Sequence, residues 1–272
     1  METNSYKGTA LITGASSGIG AIYADRLARR GHDLILVARN RERLEVLARR
    51  LTQATGRSVE VIPADLNKDA DLARIESKLR TDPRISILVN NAGFGATTPL
   101  LESDVERMDE MLALNVRALM RLTHAGVPGF VLRGAGTIIN VASIVAIAPE
   151  LLNGVYGASK AFVLAFTQSL QHELASKGVR VQAVLPGATA TDFWDIAGRP
   201  VGQLPAEIVM SAEDLVDAAL AGLDLGETVT VPSLPESSDW DTFEANRLVL
   251  HPKLSRSVPA HRYRVSRASA QS

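Results

Sequence analysis

The stretch Thr13-Gly-Ala-Ser-Ser-Gly-Ile-Gly20 decides the fold of this chain. It follows a short apolar run and opens a segment with helical periodicity, which is the context that a phosphate-binding loop requires. Glycines let the backbone approach a pyrophosphate, and the amino end of a helix offers N–H groups and the positive end of its dipole. The spacing G-x-x-x-G-x-G differs from the more common G-x-G-x-x-G, and the two serines would either bind phosphate or cap the helix. We predict that a dinucleotide lies against Gly14, Ser16, Ser17, Gly18, Ile19 and Gly20.

Apolar β-rich runs alternate with helical segments along most of the chain. The predicted strands are residues 9–12, 34–38, 59–63, 87–90, 137–141, 179–185 and 228–231. The predicted helices are residues 20–30, 41–54, 68–80, 103–123, 155–176 and 212–223. Most of the strand segments are continuously apolar, as expected for strands covered on both faces. The alternation predicts an α/β fold, a Rossmann-type doubly wound sheet of about seven parallel strands with helices on both faces, in a single domain.

The pattern weakens after residue 231. We predict a dinucleotide-binding catalytic domain over residues 1–232, with a substrate loop near residues 188–210. A C-terminal extension over residues 233–272 is predicted to be partly helical, with a short helix near residues 241–250, or disordered.

Composition argues against several classes of function. The 272 residues carry 29 basic and 30 acidic side chains, so a net charge of −1 provides no attraction for nucleic acid. The absence of cysteine excludes disulfides and thiolate metal sites, and the five histidines are scattered, so no metal site is predicted. The longest apolar stretch is too short to span a bilayer, and the N-terminus lacks the pattern of a signal peptide. We therefore expect a cytoplasmic protein that binds neither nucleic acid nor membrane.

The end of the second predicted strand indicates which dinucleotide is bound. A site for NAD usually has an acidic residue there, about twenty residues beyond the glycine loop. This chain has Ala-Arg-Asn-Arg at positions 38–41 and no acid. The planar guanidinium of Arg39 suits a 2′-phosphate, whereas the alternative is an ordinary solvated face. We predict NADP(H) as the cofactor, held at this end by Arg39 and Asn40.

The segment Tyr156-Gly-Ala-Ser-Lys160 carries the candidate chemistry, with Ser143 thirteen residues upstream. On a helix, Tyr156 and Lys160 lie on one face because they are four residues apart. A phenol titrates near ~10, and a neighbouring ammonium lowers that pKa, which would make Tyr156 a usable acid and base. Ser143 would supply a second hydrogen bond to an oxygen held by Tyr156. A Y-x-x-x-K spacing is common by itself, so the assignment depends on the rest of the chain.

Together these motifs resemble the short-chain dehydrogenase/reductase family over residues 8–232. The matching features are the glycine loop, Asp65-Leu66 after the third strand, Asn90-Asn-Ala-Gly93 after the fourth, Asn115, Ser143, Tyr156, Lys160 and Pro186-Gly-Ala-Thr-Ala-Thr191. Several independent patterns in the right order make a chance resemblance improbable. The family match therefore supports both the predicted fold and the catalytic interpretation of the Tyr-Lys pair.

The resemblance also implies roles for individual residues. The implied cofactor contacts are Asp65 and Leu66 at the adenine, Asn91, Ala92 and Gly93 along the cleft, Pro186, Gly187 and Thr191 at the nicotinamide end, and Tyr156 and Lys160. Asn115 would distort its helix and hold a water beside Lys160. Relatives are mostly dimers or tetramers, which implies a homodimer or homotetramer here.

The implied reaction is hydride transfer between the nicotinamide and a carbonyl carbon. In the direction of reduction, Ser143 and Tyr156 would bind the carbonyl oxygen and Tyr156 would donate its proton. Lys160 would lower the pKa of Tyr156 and bind the nicotinamide ribose. The predicted function is an NADP(H)-dependent oxidoreductase that interconverts a ketone or aldehyde and an alcohol.

The substrate itself is the least defined part of the prediction. Phe193, Trp194, Ile196, Leu151 and Leu152 predict a mostly apolar pocket for a hydrophobic small molecule, with 3-oxoacyl, steroid-like and ring carbonyls as candidates. The alternative for Phe193 and Trp194 is that they pack a lid against the domain. Two other functions stay open at this point: a non-catalytic NADP-sensing protein on the same fold, and an isomerase or epimerase.

Overall fold

The computed structural model describes residues 7–263. Its strands are β1 Thr9–Thr13, β2 Asp33–Ala38, β3 Val59–Pro63, β4 Ile85–Asn90, β5 Gly136–Val141, β6 Val179–Val184 and β7 Val229–Thr230. Its α-helices are α1 Gly18–Arg29, α2 Arg41–Thr55, α3 Asp69–Thr81, α4 Val105–Leu112, α5 Leu119–Arg133, α6 Gly154–Leu174, α7 Phe193–Ile196, α8 Ala212–Leu225 and α9 Ser237–Leu248. The predicted alternation of strands and helices is therefore confirmed, with shifts of a few residues at most boundaries.

All seven strands form one parallel sheet in the order β3-β2-β1-β4-β5-β6-β7. The order reverses between β1 and β4, because β2 and β3 lie on one side of this pair and the later strands lie on the other. In doubly wound sheets, ligands bind at the carboxyl ends of the strands beside such a reversal. The predicted Rossmann-type sheet is confirmed, and its topology places the glycine loop after β1 at this point.

Side chains that alternate along the strands build a hydrophobic core on each face of the sheet. Ile12 and Val89 lie in a cluster with apolar side chains of α1, α2 and α8, while Leu11 and Leu88 lie in a second cluster with those of α3, α5 and α6. Burying one such side chain contributes about 1.5–3 kcal/mol. Two-sided burial explains why the strand segments are continuously apolar rather than alternating.

The helix predicted at residues 103–123 extends further than its sequence suggested. Helical backbone runs through α4, a π-helical segment Ala113–Ala118 and α5, and it ends at Gly134 with φ of 64°. Pro128 lies inside α5, although proline removes one helical hydrogen bond and usually ends a helix. The buried side chains of Ala125 and Phe130 pack in the core on both sides of this position. Tertiary packing therefore overrides the local breaker signal, and the predicted end at residue 123 is wrong.

The chain divides into two compact units between Pro232 and Ser233. The first unit contains the whole sheet. Within its described residues, the second unit contains α9 and two single 3-10 turns, His251–Lys253 and His261–Tyr263. The short helix predicted near residues 241–250 corresponds to α9, which begins earlier. The prediction for residues 264–272 lies outside the described residues.

Candidate active site

The glycine loop connects the carboxyl end of β1 to the amino end of α1. Gly14 and Gly18 have φ of 66° and 51°, the left-handed region that favours glycine. A Cβ on Gly20 would lie 2.4 Å from the carbonyl oxygen of Gly14, so the loop closes only with glycine there. Ser17 is the N-cap of α1, but its side chain makes no capping hydrogen bond, and the first turn contains no acidic residue. The loop therefore fits a phosphate group, with the amides of α1 and the Ser17 hydroxyl as donors.

Hydrogen bonds to Thr13 hold the Asn-Asn-Ala-Gly turn against this loop. The backbone amides of Asn91 and Ala92 each donate to Thr13 Oγ1 at 3.0 Å, and Asn91 Nδ2 donates to the Thr13 carbonyl at 3.0 Å. The structure thus brings the two predicted cofactor segments together across β1 and β4. Thr13 was not among the predicted site residues. Its position at the end of β1, directly before Gly14, was the feature of the sequence that could have indicated its role.

A buried polar network fixes α6 relative to the sheet. Asn90 Nδ2 donates to Thr123 Oγ1 and to Asn140 Oδ1, each at 2.9 Å. Asn140 Nδ2 in turn donates to Thr167 Oγ1 at 2.9 Å. These four side chains are at most 3% exposed, and such networks rigidify a core when their members are hydrogen-bonded. The network therefore limits movement of the helix that carries Tyr156.

The predicted 2′-phosphate site lies at the start of α2. Arg39 is exposed and forms no ion pair with a carboxylate of the described residues, whereas Arg41 pairs with Glu45 and Arg43 pairs with Asp192. Asn40, also predicted to bind the cofactor, caps α2 through its Oδ1, which accepts from the Arg43 amide at 2.9 Å. Of these three arginines, Arg39 is therefore the one whose guanidinium has no carboxylate partner within residues 7–263, so an anion could pair with it directly.

The predicted adenine contacts lie at the turn after β3. Asp65 Oδ1 accepts from the Asn67 amide at 3.1 Å, so this carboxylate stabilises the turn. Leu66 is 4% exposed and packs in the core. Contact of either residue with an adenine ring stays a prediction.

Ser143, Tyr156 and Lys160 come together at the carboxyl end of β5. All three are buried, and the Ser143 hydroxyl is hydrogen-bonded to Tyr156. Lys160 Nζ donates to the Val141 carbonyl at 2.8 Å and lies 5.9 Å from the centroid of the Tyr156 ring. A carbonyl oxygen placed beside the Tyr156 hydroxyl would therefore meet two hydroxyl donors, those of Tyr156 and Ser143. The Lys160 amine lies near the same tyrosine ring.

The expected depression of the Tyr156 pKa is wrong for this structure. Burial raises the pKa of Tyr156 to about 12, and the hydrogen bond with Ser143 only partly opposes that rise. Burial also lowers the pKa of Lys160 to about 8. Since both side chains are withdrawn from water, desolvation outweighs the effect of the amine on the phenol. Tyr156 is therefore fully protonated at neutral pH, which is the state needed for proton donation to a carbonyl.

Replacing Lys160 by methionine should stabilise the protein at neutral pH. The folded state holds Lys160 with a pKa of about 8, below the ~10.4 of an unfolded chain. Between these two values the unfolded chain binds a proton that the folded protein has released, so wild-type stability rises with pH by about 1.4 kcal/mol per unit at most. We expect Lys160→Met to have a higher free energy of unfolding than the wild type at pH 7. This difference in free energy should shrink between pH 8 and 10.

Urea unfolding at several pH values measures this difference. Lys177→Met is the matched control, because Lys177 is exposed just beyond the same helix. A Lys160→Met advantage that stays constant across this pH range would show that the buried amine keeps an ordinary pKa.

Asn115 lies in the π-helical segment, so the predicted local distortion of its helix is confirmed. Its side chain is 1% exposed and accepts from the Phe94 amide at 3.1 Å through Oδ1. Nδ2 donates to the Phe94 carbonyl at 2.9 Å and to Ser159 Oγ at 3.1 Å. A Cβ on Gly93 would lie 2.8 Å from Asn115 Oδ1 and 3.6 Å from Lys160 Nζ. Asn115 thus ties the turn after β4 to α6 beside the buried amine.

Asn153 positions the start of α6, and sequence analysis missed it. Its Oδ1 accepts from the amides of Val155 and Tyr156 at 2.9 and 3.3 Å. Its Nδ2 donates to the Thr98 carbonyl at 2.7 Å. An asparagine immediately before a helical segment is an N-cap signal, and here that cap orients the turn that carries Tyr156.

The predicted substrate loop, residues 188–210, is pinned at its base. Thr189 and Met210 form a parallel bridge, and the Ala190 amide donates to the Met210 carbonyl at 2.9 Å. The Pro186 carbonyl accepts from the Ile144 amide at 3.0 Å, which brings Pro186-Gly187 beside Ser143. Thr191 lies over the glycine loop, since its Cγ2 is 3.1 Å from the position of a Cβ on Gly18. Both predicted nicotinamide-end segments therefore border the cleft.

Phe193 and Trp194 have different environments within this loop. The Phe193 ring centroid lies 5.6 Å from that of Tyr156, and a Cβ on Gly95 would lie 2.4 Å from Phe193 Cζ. Trp194 is 8% exposed and donates from Nε1 to the Thr189 carbonyl at 2.9 Å. Trp194 thus packs the loop against the domain, whereas Phe193 faces Tyr156. Of the other predicted lining residues, Leu152 packs in the Tyr156 cluster, and Leu151 and Ile196 are exposed.

Two further findings concern metals and membranes. Within residues 7–263, no group of three or more histidine, aspartate or glutamate side chains is arranged to hold a metal ion. No helix in this range has both the length and the apolarity needed to cross a bilayer.

Known proteins similar to this chain agree with its fold. The family model described as short chain dehydrogenase matches residues 8–199. A short-chain dehydrogenase from Sphingobium yanoikuyae, solved in complex with NADPH, is 49% identical with a TM-score of 0.92, over 94% of this chain and 100% of that chain. The bulky-bulky ketone specific alcohol dehydrogenase from Comamonas testosteroni is 45% identical with a TM-score of 0.87, over 96% of this chain and 99% of that chain.

A curated relative gives the same assignment. The 17-beta-hydroxysteroid dehydrogenase type 3 of Danio rerio is 36% identical over 223 residues, which are 80% of this chain and 70% of the relative. This chain belongs to the short-chain dehydrogenase family. The resemblance inferred from the motifs is therefore confirmed.

Proposed function

We propose that this protein is an NADP(H)-dependent carbonyl reductase or alcohol dehydrogenase that acts on hydrophobic ketones. The observation that carries the proposal is the convergence of Ser143, Tyr156 and Lys160 at the edge of the sheet that also holds the glycine loop. A protein that only senses a nucleotide needs none of these three side chains in this arrangement. The sensing and isomerase alternatives are therefore not favoured.

The protein's own residues position the substrate oxygen and supply its proton. NADP(H) supplies or accepts the hydride when it is bound. In reduction, the Ser143 and Tyr156 hydroxyls donate hydrogen bonds to the carbonyl oxygen, and Tyr156 transfers its proton as negative charge develops there. Buried Lys160, held by the Val141 carbonyl, offers its remaining N–H groups to the ribose and to the tyrosine. Asn115 acts through the geometry of α6 and is a positioning residue in this scheme.

The glycine loop and Arg39 support NADP(H) as the cofactor. The loop supplies amide donors and the Ser17 hydroxyl for the pyrophosphate, and exposed Arg39 supplies a cation for the 2′-phosphate. The Sphingobium yanoikuyae relative, which is 49% identical, was solved in complex with NADPH. Asn91, Ala92, Gly93 and the Pro186-Gly187 segment would border the nicotinamide half.

A ketone with two large substituents is the substrate class that we propose. Phe94, Met111, Val145 and Tyr156 form a buried cluster, with Leu152 and Phe193 packed against it. Leu152 and Phe193, its partly buried neighbours, offer apolar surface and no charge to a ligand at the Tyr156 hydroxyl, and the buried members support them. The Comamonas testosteroni relative, which is 45% identical, is a bulky-bulky ketone specific enzyme.

A substrate screen tests the proposed function. Purified protein is mixed with NADPH and a panel of aryl alkyl, diaryl and cyclic ketones, sugars and oxo acids, and the loss of NADPH absorbance is recorded. We expect turnover of hydrophobic ketones and little turnover of sugars or charged acids. Tight NADPH binding without turnover of any carbonyl compound would favour the sensing alternative instead.

Phe193→Ala should change substrate selectivity. The ring of Phe193 lies over Tyr156 and Gly95, so its removal enlarges the space in front of the catalytic hydroxyl. We expect the ratio of kcat/KM for a diaryl ketone to that for acetophenone to rise at least ~10-fold, the scale on which pocket shape discriminates substrates. Steady-state kinetics with both ketones measures the ratio.

Asp195→Ala is the control for this variant, because Asp195 is an exposed residue of the same short helix. It should leave the ratio unchanged. If Phe193→Ala instead lowers kcat/KM for both ketones equally, the ring serves loop packing rather than selection.

We further propose a homodimer or homotetramer. Phe162 and Phe166 of α6 stack with ring centroids 5.7 Å apart, and Phe162 is 37% exposed. Met120 of α5 and Leu112 of α4 are each 40% exposed. These exposed apolar side chains lie on α4, α5 and α6, the helices that flank Asn115 or carry Tyr156, and a second copy of the chain would cover them in a homo-oligomer. A cytoplasmic location stays a prediction.

A further inference from the structure

The edge of the sheet opposite to Tyr156 contains a cleft of about 1020 Å³. Its walls come from the starts of β1, β2, β4, β5 and β6 and from the C-terminal ends of α1, α5 and α8. Strands of five or six residues span about 17–20 Å, so this cleft is separate from the catalytic edge. A molecule bound here would not touch Ser143, Tyr156 or Lys160.

Cationic side chains dominate the charge of this cleft. The charged residues that line it are Lys7, Arg30, Arg84, Arg133 and Arg180, against Asp224 as the acid among the described lining residues. Arg30 pairs with Asp224 at 3.0 Å, and Arg84 pairs with the nearby Asp82. The cleft therefore keeps a positive charge after these two ion pairs are formed.

Lys7, Arg133 and Arg180 carry that remaining charge, and no carboxylate of residues 7–263 forms an ion pair with them. Arg133 donates to the Ile85 carbonyl at 2.7 Å. Arg180 donates to Thr137 Oγ1 through a long contact of 3.4 Å. Both guanidinium groups therefore retain N–H donors for an anion.

Helix dipoles explain only part of this cluster. The C-terminal ends of helices attract cations, which accounts for Arg30 and Arg133 at the ends of α1 and α5. Lys7 lies just before β1 instead, on no helix. Arg180 lies in β6, shortly after the helical turn Ala175–Lys177 ends at Gly178, and its guanidinium donates to Thr137 rather than to a helix carbonyl. Helix capping thus leaves the presence of Lys7 in this cleft unexplained.

His32 adds a buried polar atom to the same wall. Its Nδ1 is buried, and no hydrogen-bond partner for it lies in the described part of the chain. Burial lowers the pKa of this imidazole, a hydrogen bond with the Gly8 backbone opposes that fall, and the charges of Lys7, Arg30 and Arg57 lower the pKa further. His32 therefore adds a polar ring, but no further positive charge, to the wall of the cleft.

The wall also contains the apolar side chains Leu27, Pro83, Ile87, Leu220 and Leu223, beside the hydroxyl groups of Ser86 and Thr137. A free inorganic anion would make no contact with these apolar side chains. The volume and the mixed lining fit a molecule in which an anionic group is joined to an apolar body.

We propose that this cleft binds an organic anion, a phosphate or carboxylate joined to an apolar group, at a site distinct from the active site. Lys7, Arg133 and Arg180 hold the anionic group, and exposed Pro83, together with the edges of the largely buried Ile87 and Leu223, contacts the apolar part. The proposal does not depend on the proposed catalytic function.

Calorimetric titration of the NADPH-loaded protein with octyl phosphate tests this site. We expect saturable binding that Arg180→Gln weakens at least ~10-fold, the effect of one lost charge-assisted contact. Arg50→Gln, which removes an exposed charge of α2, is the control and should bind as the wild type does. Ketone reduction should be unchanged in both variants, and equal melting temperatures show that Arg180→Gln is folded.

Three further probes separate charge from apolar contact. Octanoate should also lose affinity in Arg180→Gln, whereas octanol and inorganic phosphate should each bind at least ~10-fold more weakly than octyl phosphate. Equal affinity of wild type and Arg180→Gln for octyl phosphate would overturn the site, and Lys7→Gln repeats the test if Arg180→Gln does not fold. Octanol binding as tightly as octyl phosphate would also overturn it.

Discussion

Tyr156→Phe should lower kcat for ketone reduction at least ~10²-fold, the lower end of what a positioned general acid contributes. The substitution removes the one hydroxyl that can donate a proton to the substrate oxygen, and it leaves Ser143 as a hydrogen-bond donor only. The affinity for NADPH should change little, because the glycine loop and Arg39 are untouched. Stopped-flow measurement of single-turnover rates, together with fluorescence titration of NADPH, separates the two quantities.

Tyr23→Phe is a matched control for this prediction. Tyr23 is fully buried in α1, and its hydroxyl has no hydrogen-bond partner among the described residues. Removing that oxygen is the same chemical change at a site remote from the reaction, and activity should be retained. A Tyr156→Phe variant with nearly wild-type kcat would rule out the phenol as the proton donor.

Arg39→Asp should weaken NADPH binding at least ~10-fold, because charge-assisted hydrogen bonds contribute about 1.5–3 kcal/mol and each 1.4 kcal/mol is tenfold in affinity. The exposed guanidinium that we assign to the 2′-phosphate becomes a carboxylate, which repels that phosphate. A carboxylate at this position is also what an NAD site uses for the ribose hydroxyls. The Kd for NADH should therefore stay equal or fall. The ratio of the Kd for NADPH to the Kd for NADH, which is expected to be below one in the wild type, should then approach or exceed one.

Titration of both cofactors into wild type, Arg39→Asp and Arg49→Asp tests this assignment. Arg49 is an exposed arginine of α2, the helix that follows Arg39, and it lies remote from the amino end of that helix. The same change there should leave the ratio of NADPH to NADH affinity as in the wild type. A wild type that prefers NADH, or an Arg39→Asp variant that loses both cofactors equally, would contradict NADP(H) selection by Arg39.

The site depends on contacts that join distant segments, and these were only partly visible in the sequence. The Tyr156–Lys160 pair and the glycine loop are local patterns, so their positions could be predicted. Thr13 and Asn153 hold those patterns in place through hydrogen bonds to Asn91, Thr98 and the start of α6. Thr13 and Asn91 lie 78 residues apart, and Asn153 and Thr98 lie 55 residues apart, so a single sequence contains no record of their proximity.

Burial decided the protonation of the site against the prediction from local chemistry. The four-residue spacing suggested a phenol acidified by its neighbouring amine. In the folded protein both groups lie in the interior, and desolvation raises the pKa of Tyr156 while it lowers that of Lys160. Desolvation depends on everything packed around a group, so it cannot be inferred from the spacing of two residues.

The sequence by itself determined the α/β alternation, the parallel sheet, the glycine loop and the candidate reacting side chains, because each follows from periodicity or residue type over short segments. Only the tertiary structure decided that α5 continues through Pro128, that Phe193 faces Tyr156 while Trp194 packs the loop, and that cations from β1, α5 and β6 gather in one cleft. These features result from packing between segments remote in the chain, where a buried contact outweighs the local preference of the residues that make it.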